Sequence, residues 1–151
     1  MPVQSATDAA GAATIGLSKL PIGRGETVLI IEGERERLLR DEEKLAALGY
    51  EPVGFEKAED ALVACRLDPN RFDLIAISAG WQSQEGLDLA RAIAKVAPSK
   101  PILLAVASSI DISGSVLAEA GISQVLPWPL ATAELASTLE RSLRPRGMLQ
   151  L

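Results

Sequence analysis

Between residues 27 and 143 the chain alternates short, almost continuous apolar runs with longer stretches in which apolar residues return every three or four positions. TVLII (27–31) is followed by EGERERLLRDEEKLAALGY, where Leu38, Leu45 and Leu48 stand at helical spacings among charges and Gly49 supplies a stop. This pattern predicts a β-strand and then an amphipathic helix. The cycle recurs as EPVGF with AEDALVACRL, FDLIAI with GLDLARAIAKV, PILLAV with SGSVLAEAG, and SQVL with ATAELASTLERSL. Apolar strands alternating with helices imply a parallel sheet covered on both faces, because parallel neighbours need crossover connections and those are right-handed. The expected class is α/β, a doubly wound sheet of five parallel strands with five helices.

In such a sheet the loops after strands 1, 3, 4 and 5 gather at the carboxyl edge, where the strand order reverses and ligands bind. These loops carry Glu32, Gly33 and Glu34; Ser78 to Trp81; Val106 to Ser109; and Pro127, Trp128 and Pro129. The third-strand loop poses a puzzle, since after Ser78 it holds no acid, base or metal ligand before Glu85. Ser78 is a weak nucleophile unless a base activates it, and the chain contains no histidine.

Composition narrows the partners. A chain of 151 residues, 48% hydrophobic, buries one sizeable core. A net charge of −5 without a basic run removes the electrostatic drive for nucleic-acid or anionic-membrane binding. Cys65 is the only cysteine, which excludes an internal disulfide, and it reads as a buried structural thiol. No stretch reads as a membrane span or a secretory signal, so a cytoplasmic setting is expected. Residues 1–25 are rich in Ala, Gly, Ser and Thr and read as a linker or N-terminal arm. The folded unit is expected over 26–144, with 145–151 as a tail. Gly23 and Gly25 precede a strand, the wrong context for a dinucleotide fingerprint, and neither a phosphate loop nor a nucleophile elbow is present. No cofactor is expected, and an enzyme has little to work with.

VLIIEGE, FDLIAIS, PILLAVAS and LPWPL, in that order and separated by helices of matching length, resemble the receiver domain of two-component response regulators. The resemblance spans Glu26 to about Arg144 and implies a flavodoxin-like strand order 2-1-3-4-5. It also implies a site: two acids after strand 1 that hold Mg²⁺, a phosphoacceptor aspartate ending strand 3, a Thr or Ser ending strand 4, and a Lys before the Pro after strand 5. Here those positions hold Glu32 with Gly33, Ser78, Val106 and Trp128. Glu34 is the other acid nearby. Phosphoryl transfer needs a nucleophilic oxygen, an oxygen-ligated Mg²⁺ and positioned cations. The substitutions remove them together, so the expected function is a phosphorylation-independent pseudo-receiver. It would act as an interaction module with a sensor histidine kinase or another signalling domain, standing alone or at the end of a hybrid kinase. A small-ligand or nucleotide sensor using the vacated pocket, or residual phosphoacceptor chemistry at Ser78, is the alternative.

Trp128 is expected to fold over the vacated pocket toward Ser78 and Glu32, or to form a docking surface with Trp81. The resemblance implies a cis peptide bond at Trp128–Pro129. It also implies association through the face of the fourth helix, fifth strand and fifth helix, where the small residues Ala133 and Ala136 would let a second surface approach. The charge-dense ERERLLRDEEK is expected to be a solvated helix face.

Overall fold

The computed structural model describes residues 21–78, 83–107, 112–128 and 131–144, with the backbone alone at Ser83, Ala107 and Trp128. Five strands and five helices alternate through it: β1 (Thr27–Ile31), α1 (Arg35–Ala47), β2 (Glu51–Phe55), α2 (Ala58–Leu67), β3 (Leu74–Ile77), α3 (Ser83–Val96), β4 (Ile102–Ala107), α4 (Gly114–Glu119), β5 (Gln124–Trp128) and α5 (Thr132–Leu143). The strands form one parallel sheet, as the sequence pattern predicts, in the order β2-β1-β3-β4-β5 that the receiver resemblance implies.

Alternation along the strands divides the core into two layers. Val28 and Ile30 of β1, Leu74 of β3, Leu103 of β4 and Leu126 of β5 pack against Leu38 and Leu45 of α1 and Leu135 and Leu139 of α5. Leu29, Ile31, Ile75, Ile77 and Leu104 face the other way, against α2, α3 and α4. Cys65 lies in that second layer, 1% exposed, and burial pushes its thiol up. Just ahead of β3, Asp73 engages Thr27 twice: its Oδ2 accepts the Thr27 N–H at 2.9 Å and its own N–H donates to the Thr27 carbonyl at 2.8 Å.

Packing reaches back ahead of β1. Gly23 N–H donates to the Leu48 carbonyl at 2.7 Å and Gly25 N–H to the Gly49 carbonyl at 2.8 Å. A Cβ on Gly23 would stand 2.6 Å from the Tyr50 ring, so only glycine lets the backbone approach this closely. Arg144, just past α5, bonds to Glu26 at the foot of β1 and to Glu140 at 2.7 Å. Among the described residues no helix is long and apolar enough to cross a membrane.

One expectation about α1 needs correction. ERERLLRDEEK is not solvated throughout: within it Leu38 and Asp41 are buried, in line with Leu45 one residue beyond. Asp41 occupies the slot that the 3.6-residue period assigns to the core-facing stripe.

Candidate functional site

The parallel register of β1 with β3 pairs Ile31 with Ile77, so the next residue of each strand, Glu32 and Ser78, emerges side by side at the carboxyl edge. Alternation aims both toward α1, the direction taken by Val28, Ile30 and Leu74. Glu32 is fully buried and Ser78 is 7% exposed. The Ser78 hydroxyl donates to Glu32 Oε1 at 2.5 Å, and the Glu34 N–H donates to Glu32 Oε2 at 2.8 Å. Both carboxylate oxygens therefore have a partner from the chain itself, which is what a buried acid requires.

A cation completes the cluster. Arg37, in the first turn of α1, places Nε 3.3 Å from Glu32 Oε1 and 3.4 Å from Glu34 Oε1, yet this buried Nε makes a hydrogen bond to neither. The guanidinium balances a charge that could not otherwise stay in the interior. The sequence pattern assigns Arg37 and Asp41 to the solvated helix face and not to the site. Asp41 was detectable as an acid within the Leu38–Leu45 stripe. Arg37 had no comparable signal, because in a charge-dense first turn an arginine reads as solvated, and its approach to Glu32 and Glu34 is made through space.

Gly33 is exposed and carries no ligand, and Glu34 points its half-exposed carboxylate at Arg37. A divalent cation does not fit this set: Glu32 is already engaged by a hydroxyl, an amide and an arginine, and among the described residues no third His, Cys, Asp or Glu joins the two glutamates. Val106 is not part of the cluster; it packs in the layer of α2, α3 and α4, on the opposite face of the sheet. Trp81, Pro129 and the Trp128 side chain lie outside the described residues, and with them the expected indole lid, the paired-tryptophan surface and the cis bond. On α5 the two expected contact residues part company. Ala133 is exposed, but Ala136 is fully buried beneath the helix and cannot face a partner. This corrects the expected role of Ala136, which falls on the same core stripe as Leu135 and Leu139.

No family model matches the chain. Among solved structures it is similar to the chemotaxis protein CheY4 of Vibrio cholerae, at 21% identity over 79% of this chain and 99% of that one, with a TM-score of 0.69. It is similar to a CheY-like response regulator receiver domain protein of Methanospirillum hungatei, at 17% identity over 83% and 98%, TM-score 0.71. A protein of Burkholderia pseudomallei described as pilus assembly-related is similar at 22% identity over 83% and 94%, TM-score 0.66. At these identities the likeness is one of fold.

Proposed function

We propose, from the premise that this chain has the fold of response-regulator receiver domains, that it is a phosphorylation-independent receiver-like module of two-component signalling. It docks a protein partner, a sensor histidine kinase or a neighbouring signalling domain, in the cytoplasm, and is not itself an enzyme. The observation that carries this reading is the closed cluster at the carboxyl edge. Ser78 stands where the acceptor acid of a receiver would stand and spends its hydroxyl proton on Glu32, while Arg37 neutralises the acids. Among the described residues the group that accepts the Ser78 proton is the Glu32 carboxylate, which is itself held by the Glu34 N–H and lies beside Arg37, and fold alone would not decide the question.

The interacting unit runs from residue 26 to 144, with 1–25 as a linker or arm whose last residues pack against it through Gly23 and Gly25, and 145–151 as a tail. Its contact face is that of α4, β5 and α5. There a groove of about 400 Å³ between β5 and α5 is bordered by Pro127, Ala133, Glu134 and Arg141. Glu134 and Arg141 lie two turns apart on α5, so a second copy laid antiparallel along this helix would set each glutamate opposite an arginine. The ligand-sensing alternative draws little support from the cavity beside Ser78, whose volume of about 40 Å³ admits water and not a nucleotide.

The test is incubation with a small phosphodonor and Mg²⁺, read by intact mass, beside a pull-down of the partner kinase. The expected result is no adduct and partner capture that is unaltered by the donor. A phosphoryl adduct that disappears in Ser78→Ala overturns the reading.

A further inference from the structure

Arg37 lies near two buried acids, and the second is Asp41, four residues further along α1. Asp41 is 8% exposed and lines the cavity of about 40 Å³ that separates the sheet from α1 and α5. Ser78 reaches the same cavity from the end of β3. The remaining walls from the sheet and α5 are aliphatic, among them Ile30, Leu103, Leu126 and Leu139. The titratable groups that act on Asp41 are therefore Lys44, Arg40 and Arg37 on its own helix and Glu32 at the end of β1. Burial pushes the Asp41 carboxyl up to about 6; Lys44, Arg40 and Arg37 pull it down and Glu32 adds to the rise.

Three further observations bear on Arg37. Its Nε contacts with Glu32 and Glu34 are long and make no hydrogen bond, so the guanidinium is held by charge and not locked by geometry. Residues four apart on a helix are surface neighbours, which brings Asp41 within reach of the same side chain. The cavity has room for water to hydrate a newly ionised carboxylate.

We infer that Arg37 is shared between Glu32 and Asp41, and that the proton on Asp41 decides which of the two it holds. With Asp41 neutral, the guanidinium stays at Glu32 and Glu34, as the structure has it. With Asp41 ionised, two carboxylates in an apolar layer compete for one cation, and the arginine turns down the helix toward the cavity. Glu34 then loses its countercharge, and the loop between β1 and α1 presents a more acidic face at the carboxyl edge. The device responds to protons alone and stands whether or not the domain serves two-component signalling.

The test is NMR of the whole chain, following the Arg37 Nε–Hε resonance and the Asp41 carboxyl carbon through pH 6, in the wild type and in Asp41→Asn. The expected result is a common midpoint for both nuclei in the wild type, and loss of the Arg37 shift in the variant, which stays at its low-pH position. An Arg37 resonance that does not move with pH in the wild type overturns the inference without recourse to any variant. An Arg37 titration that persists unchanged in Asp41→Asn overturns it too, since another acid would then be its cause.

Discussion

The Ser78 hydroxyl donates to the Glu32 carboxylate across 2.5 Å, tying together the carboxyl ends of two neighbouring parallel strands one register step beyond Ile31 and Ile77. Ser78 thereby acts as a structural donor to a fully buried acid. Replacing it with alanine takes one hydrogen bond from a fully buried carboxylate, at an expected cost of about 1–3 kcal/mol. Urea unfolding followed by circular dichroism measures this directly. A loss below about 0.5 kcal/mol, the scatter of neutral surface changes, would show that the bond contributes nothing to stability.

Stability should depend on pH through Asp41. Its carboxyl is raised from 3.8 to about 6 by burial, so the folded state holds this proton more tightly than the unfolded chain. The contribution is fully present below about 3.8 and is lost as pH rises toward and through about 6. A shift of this size corresponds to at most about 3 kcal/mol; solvent screening at this partly hydrated site reduces the expectation to about 1–2 kcal/mol. Asp41→Asn should abolish that component and be more stable than the wild type at pH 8. Equal pH profiles for the two proteins would refute it.

Two alanines on α5 separate folding from docking. Ala136→Arg forces a cation into a fully buried position among Leu135 and Leu139 and is expected to abolish cooperative unfolding. Ala133→Arg changes an exposed residue and should leave the melting temperature within a degree or two of the wild type, corresponding to about 0.5 kcal/mol or less. It is the variant with which to test self-association or kinase capture. Sedimentation and pull-down behaviour identical to the wild type would remove the α4, β5 and α5 face from consideration.

The segment before β1 should unfold with the domain and not as a free tail. Gly23→Ala would bring a Cβ to 2.6 Å from the Tyr50 ring and 2.8 Å from the Gly49 carbonyl, so either the ring or the segment must shift, at about 1–3 kcal/mol. Hydrogen exchange at the Gly23 and Gly25 amides, which bond to Leu48 and Gly49, reports the displacement. Rapid exchange at both amides already in the wild type would place the edge of the folded unit at Glu26.

Much of this architecture is determined by the chain's own periodicity. Apolar runs of four to six residues alternating with 3.6-period stretches define the strands and helices, and parallel pairing follows from the intervening helices. The same local information puts Ser78 at a strand's carboxyl end, extends β4 through Val106 and marks Cys65 as a core residue. It also held the address of Asp41, between Leu38 and Leu45, although the density of charge around it disguised a buried acid as part of a wet surface. On α5, Leu135, Ala136 and Leu139 likewise describe one stripe that leaves Ala133 outside it.

Only the tertiary structure decided what becomes of Glu32. Its partners are a hydroxyl 46 residues away and an arginine on the following helix, brought together by strand register and by the docking of α1 on the sheet. Hydropathy is a property of consecutive residues, whereas charge compensation depends on distance through space. From sequence, the substitutions describe an emptied acidic site; in the folded chain the remaining acid is fully engaged, because an uncompensated carboxylate cannot remain buried and Arg37 is the cation within reach.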